Sequence, residues 1–297
     1  MTSMNYIVVT GGAGFIGSNL IDYLLKKTKY NIISYDNYFT GTKKNHIKNK
    51  RVRYIKGDTK VFSKKFRNYK NKIKVIFHFA EFSRIAQSFE NFNSCVESNI
   101  YGTMSVVNFC LENKIKIIYS ATSASLGNKG LDQNLSPYAF SKSFNMNLIM
   151  NYNEWFKLNY EIIYFYNVYG PRQIKDNNMA AVVGIFENCY EKGQPMPVVK
   201  PGSQTRKFTH VKDTVKICYQ AWRKNLNRHY SISSQKEFSI FKLAKNFGGE
   251  IKMVPARRGE RFKSSIIDEV RNKKIYNLKS NINLENYIDN FKKKVSK

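Results

Sequence analysis

Short apolar runs bounded by turn residues alternate with helix-periodic segments through the first half of the chain. Runs at 6–10, 31–35, 53–55, 74–79, 116–120 and 161–166 have strand length and character. After the first of them, Ile16, Leu20, Ile21, Leu24 and Leu25 recur at helical spacing. Val96, Ile100, Val107 and Cys110 mark the buried face of a later helix, and a third helix is expected over 138–155. Strands separated by helices are joined by crossovers and lie parallel, so the pattern predicts an α/β protein with a doubly wound parallel sheet. After Gly170-Pro171 the alternation weakens and turn-rich pieces such as Lys200-Pro201-Gly202-Ser203 appear. Residues 1–166 are therefore expected to form the sheet domain and 167–297 a smaller mixed α/β region, with elements of the two interleaved.

A chain of 297 residues can bury one large core or two unequal ones without a metal or disulfide staple. Cys95, Cys110, Cys189 and Cys218 are far apart, form no Cys-x-x-Cys pair and sit among apolar residues, which favours reduced core cysteines and excludes a zinc motif. A strand-like run starts at Tyr6, leaving no room for a signal peptide, and no apolar stretch approaches the roughly 20 residues of a membrane span. The expectation is a cytoplasmic protein without membrane contact. The net charge of +29 invites a nucleic-acid reading. Against it, 38 lysines outnumber 12 arginines and are scattered (Lys26, Lys64, Lys114, Lys192, Lys273) instead of forming a basic block with interleaved aromatics, so no nucleic-acid partner is expected.

Gly11, Gly14 and Gly17 follow the first strand and open the first helix, where backbone amides and the helix N-terminus can approach a pyrophosphate. The second strand leads to Asp36, nineteen residues after Gly17. A carboxylate there accepts hydrogen bonds from a ribose hydroxyl and repels a 2′-phosphate, which points to a Rossmann domain that binds NAD rather than NADP. Asp58, after Gly57 at the end of the third strand, is a further candidate toward adenine, though Gly-Asp is also an ordinary turn pair.

Tyr138 and Lys142 lie four apart on the helix expected over 138–155, hence on one face. A second such pair, Tyr23 with Lys27, falls late in the first helix and reads as surface. Tyr138 is set apart by Ser136-Pro137 just before it and by the run Ser120-Ala121-Thr122-Ser123-Ala124 leaving the end of a strand, where a doubly wound fold places its site.

In order along the chain, Gly11-x-x-Gly14-x-x-Gly17, Asp36-Asn37, His78-Phe79-Ala80, Asn99-x-x-Gly102-Thr103, Ser136-Pro137-Tyr138-x-x-x-Lys142 and Asn167-Val168-Tyr169-Gly170-Pro171-Arg172 resemble the NAD-dependent epimerase/dehydratase family of extended short-chain dehydrogenases. The resemblance continues through Gln204-Thr205-Arg206-x-Phe208-Thr209-His210-Val211-x-Asp213 and Arg257-x-Gly259-Glu260. It implies that Gly11, Gly14, Phe15, Ile16, Gly17, Asp36, Asn37, Asp58, Phe79, Ala80 and Asn99 hold NAD together with Tyr138 and Lys142. It implies that Tyr138 takes the proton of a sugar hydroxyl, with Lys142 lending its charge and Thr122 relaying the proton or binding the reacting oxygen. A free phenol titrates at about 10, so such a base needs cationic neighbours to work near neutral pH. By the same resemblance Ser83, Thr122, Asn167, Arg206, Arg257 and Ser264 contact a nucleotide-sugar substrate, UDP-linked by preference, and two chains pair as a homodimer.

The family's 4,6-dehydratases carry Asp-Glu after the catalytic Thr, whereas Ser123-Ala124 follows Thr122 here. That favours epimerisation at carbon 4 through a transient 4-keto sugar, with decarboxylation, keto-reduction or dehydration as alternatives on the same parts. A silent NAD-binding relative and a basic nucleic-acid-binding protein are the alternatives from other classes. Departures from the family pattern are a shortened stretch at 127–136, Tyr164 where many relatives have Arg, and Glu81 directly after His78-Phe79-Ala80.

Overall fold

The computed structural model describes residues 5–126, 132–260, 263 and 266–296. Six parallel strands come from the first half: β1 (Tyr6–Thr10), β2 (Asn31–Asp36), β3 (Val52–Lys56), β4 (Ile73–His78), β5 (Lys116–Thr122) and β6 (Tyr160–Phe165). They lie in the order β3-β2-β1-β4-β5-β6, and the sheet continues from β6 through His229–Ser233, Lys273–Lys279 and Glu269–Val270. Only that last pair is antiparallel. The order reverses between β1 and β4, which opens a crevice at the carboxyl ends of those strands, the binding place of open α/β sheets.

Successive strand residues face opposite sides, and both sides are packed. Val8, Ile33, Ile76 and Ile117 join Phe62, Phe66, Val106, Ile149 and Tyr160 on one face. Ile7, Val9, Ile32, Val75 and Ile118 join Leu20, Ile21, Leu24, Val215 and Cys218 on the other. Helix α1 (Phe15–Lys27) buries the stripe expected of it at Leu20, Ile21 and Leu24. A third core, built from Phe186, Phe208, Phe238, Leu243, Phe247 and Ile288, holds the second half together over the crevice.

The helical reading from Val96 to Cys110 needs correction. The chain forms a short helix Phe92–Val96, a π-turn Glu97–Tyr101 and a helix Gly102–Glu112. Cys95, Asn99 and Thr103 are the buried residues, and Val96 and Ile100 are half-buried. Two contacts set this register. Asn99 is pinned to the Phe82 backbone, accepting its N–H at 2.6 Å and donating to its carbonyl at 3.1 Å. Gly102 lets the helix touch Thr59, whose Oγ1 a Cβ would meet at 2.3 Å. All four cysteines are buried and free. Among the described residues no helix is long and apolar enough to cross a membrane, and no group of three His, Cys, Asp or Glu side chains could hold a metal.

Candidate active site

The turn after β1 has the shape the glycines promise. Gly11 adopts φ +70° and its Cβ would lie 2.8 Å from the Phe79 backbone, while a Cβ on Gly17 would sit 2.1 Å from the Gly11 carbonyl oxygen. Gly14 is different. Its hypothetical Cβ meets nothing closer than 3.2 Å, so what its bareness keeps clear is the approach to the start of α1, where no side chain caps the first amides. Uncapped amides beside a glycine are a cradle for phosphate. Phe15, Ile16, Phe79 and Ala80 line the same cleft.

Asp36 closes this end. It is buried, accepts the Ala13 N–H at 2.9 Å and the Tyr38 N–H at 2.8 Å, and lines the cleft. Burial pushes its carboxyl up, and the N–H bonds from Tyr38, Ala13 and Gly14 pull it partly back. Asn37 is exposed and turns the chain by accepting the Phe39 N–H at 3.0 Å, and Asp58 caps the next turn through the Lys60 N–H at 2.9 Å; both line the cleft. The free lone pairs of Asp36 and Asp58, the glycine cradle and the apolar walls fit a dinucleotide. Asn99 does not line the cleft. Its side chain is spent on Phe82 and on Ser141 Oγ at 2.9 Å, so it shapes the loop after β4 from behind.

The catalytic helix Pro137–Phe156 starts where Ser136 accepts the Ala139 N–H at 3.1 Å and Pro137 fills the first turn. Tyr138 and Lys142 are buried on its inner face, and the Tyr138 N–H donates to Ser88 Oγ at 3.2 Å. Lys142 donates to the Ser120 carbonyl at the end of β5 and to the Glu81 carboxylate. Thr122 ends β5 and accepts the Ala124 N–H at 3.1 Å. Tyr138, Lys142 and Thr122 thus come together in the cleft that carries Asp36 and the glycines.

Across the cleft, Asn167 (φ +35°) donates to the Lys207 carbonyl at 2.8 Å. Arg206 is buried and ion-paired with Glu260 at 2.6 Å. Arg257 is exposed on the rim, and Arg258 stacks over the Phe89 ring at 4.3 Å. Ser83, Asn167, Arg206 and Arg257 all line the cleft. Ser264 and residues 127–131 of the shortened stretch lie outside the described residues.

Sequence reading passed over three participants. Glu81 stood out as a departure without its partner being evident. Arg84 bridges the lobes, its Nε donating to the Met179 carbonyl at 2.6 Å, and burial pushes its guanidinium down. Gln173 lines the cleft with both amide atoms buried and unpartnered among the described residues, a polar group left for a ligand. The polar character of Gln173 within Arg172-Gln173 was its only signal.

A Rossmann sheet with a glycine cradle, an acid at the end of β2 and a Tyr–Lys pair beside the strand-end threonine defines a dinucleotide-dependent enzyme of the short-chain dehydrogenase type. The chain belongs to the NAD-dependent epimerase/dehydratase family, whose sequence profile matches residues 7–233. It is 31% identical over 271 residues to a protein of Methanocaldococcus jannaschii assigned as a UDP-glucose 4-epimerase, covering 86% of this chain and 87% of the relative. It is 30% identical over 260 residues to the UDP-N-acetyl-α-D-glucosaminuronate decarboxylase of Bacillus cytotoxicus, covering 80% and 78%. The fold superposes on the UDP-glucose 4-epimerase of Thermotoga maritima, solved with UDP-glucose, at a TM-score of 0.86 and 23% identity, over 98% of this chain and 100% of that one. NAD is the cofactor of this family.

Proposed function

We propose that the protein epimerises carbon 4 of a nucleotide-linked sugar, a UDP-hexose or UDP-N-acetylhexosamine. One observation carries the choice of reaction. Ala124 packs in the same cluster as Tyr138, so a methyl group stands where a dehydratase would present a carboxyl. The cleft's other carboxylates near this end are engaged, Glu81 with Lys142 and Glu260 with Arg206. Elimination of water needs an acid and a base of its own, and this arrangement supplies neither.

NAD, held by the Gly11–Gly17 turn, Asp36 and Lys142, supplies a hydride acceptor and returns the hydride. Tyr138 takes the proton of the C4 hydroxyl, Thr122 bonds the same oxygen, and the 4-keto sugar turns its other face before Tyr138 gives the proton back. Asn167, Arg206 and Arg257 hold the pyrophosphate through charge-assisted bonds, keeping the nucleotide fixed while the sugar rotates.

Residues 1–166 act as the NAD domain and 167–297 as the nucleotide-sugar domain. The enzyme works in the cytoplasm as a homodimer. Supporting the dimer, Phe140, Phe144 and Trp155 project from one side of the catalytic helix, 51%, 39% and 62% exposed, beside Phe92 and Tyr101. Incubation with UDP-, dTDP- and GDP-sugars, followed by chromatography and NMR of the products, tests the reaction. A C4 epimer is expected; a 6-deoxy-4-keto sugar or a pentose product would replace this reading with dehydration or decarboxylation.

A further inference from the structure

Lys142 does not face Tyr138 alone. Its ammonium is ion-paired with Oε2 of Glu81, and the two side chains are only 5% and 2% exposed. The other carboxylate oxygen, Oε1, accepts from Tyr119 Oη at 3.0 Å, from Asn145 Nδ2 at 3.0 Å and from Thr103 Oγ1 at 3.3 Å. The ammonium also lies over the Tyr119 ring, 4.7 Å from its centre. Behind Thr103, His78 bridges to Thr10 with contacts of 2.8 Å on each ring nitrogen. A carboxylate gripped by three donors is held as an anion in one orientation and cannot swing toward the substrate.

The groups around the pair carry little other charge. From β4, His78 is held neutral, pushed down to about 4 by burial. From β5, burial holds the Tyr119 phenol well above its ordinary range. From the helix Phe92–Val96, burial raises the Cys95 thiol. The catalytic helix contributes Tyr138 and Lys142 themselves, and the loop after β4 contributes Arg84, bonded to Met179, which packs with Tyr138. Lys142, Glu81 and Arg84 are therefore the fixed charges in this pocket.

We propose that Glu81 is a positioning residue that sets, through Lys142, the pH at which Tyr138 becomes a base. The proposal rests on the reading of Tyr138 as that base. Seen from the phenol, Lys142 and Glu81 form a dipole whose positive end is nearer, so the carboxylate cancels part of the field that favours phenolate. The sign follows. Removing the negative charge leaves the full cation, and phenolate forms at lower pH, by on the order of one unit for charges several ångströms apart in a partly shielded interior. A phenolate that forms at higher pH is the stronger base, so Glu81 trades population for strength. Its anchored carboxylate also fixes the ammonium between Ser120 and the catalytic helix.

Glu81→Gln and Glu81→Ala, neutral side chains of different size, separate charge from shape, and Glu81→Asp restores the charge. Absorbance titration of each protein against its own Tyr138→Phe partner reads the single phenolate without any substrate. Both neutral variants are expected to show it at lower pH by about one unit, with Asp close to wild type. The rise of kcat/KM with pH should move the same way, and its plateau should fall. Unmoved titrations in a neutral variant that still binds NAD would overturn the proposal, as would a shift that Asp fails to reverse. A phenolate that moves as expected in a protein that epimerises no sugar supports the proposal and refutes the assigned reaction instead.

Discussion

The Oδ2 oxygen of Asp36 accepts the backbone N–H of Ala13 at 2.9 Å, so one carboxylate both ties the glycine turn to β2 and presents its remaining lone pairs to the cleft. Asp36→Ala should therefore weaken NAD binding roughly ten- to a hundredfold, the cost of hydrogen bonds to a charged group, and erase the preference over NADP. Dissociation constants for both dinucleotides measure this. NADP binding as tight as NAD by the wild type would show that Asp36 does not meet the ribose.

Tyr138→Phe keeps the ring packed against Ala124 and Met179 and removes only the reacting oxygen. Turnover should vanish while NAD and nucleotide-sugar affinities stay within about threefold. More than a tenth of wild-type kcat, a barrier change under about 1.4 kcal/mol, would exclude Tyr138 as the base.

Burial lowers His78, His210 and His229 to about 4, below the ordinary value of 6.5. As pH falls through 6.5 the unfolded chain takes up protons that the folded chain refuses, so stability is present above that pH and is lost on the way down. By pH 5 each histidine should have withdrawn about 2 kcal/mol. Urea unfolding at pH 7 and pH 5 should show the drop, and His229→Gln should reduce it. Stability independent of pH across this window would contradict the assignment.

Substrate size is proposed to be gated at Ser264, or at its neighbour Ser265. A small residue beside carbon 2 of the sugar leaves room for an acetamido group, which a tyrosine would fill. UDP-N-acetylhexosamines should be turned over at least as well as UDP-hexoses, and Ser264→Tyr or Ser265→Tyr should impair the acetylated substrate alone. An unchanged ratio of efficiencies in both variants would move the gate to residues 127–136.

Replacing Phe144 and Trp155 together by Glu puts charge into the exposed aromatic face of the catalytic helix. Sedimentation should show wild-type dimers and variant monomers at micromolar concentration. A monomeric wild type would remove the dimer from the proposal.

The six strands of the first half were legible because each is an apolar run closed by turn residues, and the observed ends differ by only one or two residues. The π-turn at Glu97–Tyr101 was not, since it is set by Asn99 reaching the Phe82 backbone and by Gly102 against Thr59, contacts that local periodicity does not record. At the site, Tyr138, Lys142 and Thr122 could be paired from spacing and strand ends. Glu81 could not, because its partner Lys142 is 61 residues away and becomes a neighbour only when the β4 loop and the catalytic helix converge on β5.

The sheet has a consequence for synthesis on the ribosome. When residue 165 has emerged, six strands can pair, and the nascent chain carries β6, Tyr-Glu-Ile-Ile-Tyr-Phe, as an open edge. Its partner, His229–Ser233, arrives more than sixty residues later, and the strand that covers that partner, Lys273–Lys279, later still. For that interval the most hydrophobic side of a half-made sheet is a template for other chains. Slow elongation past β6 would lengthen the exposure, and a fragment ending before His229 would keep it permanently.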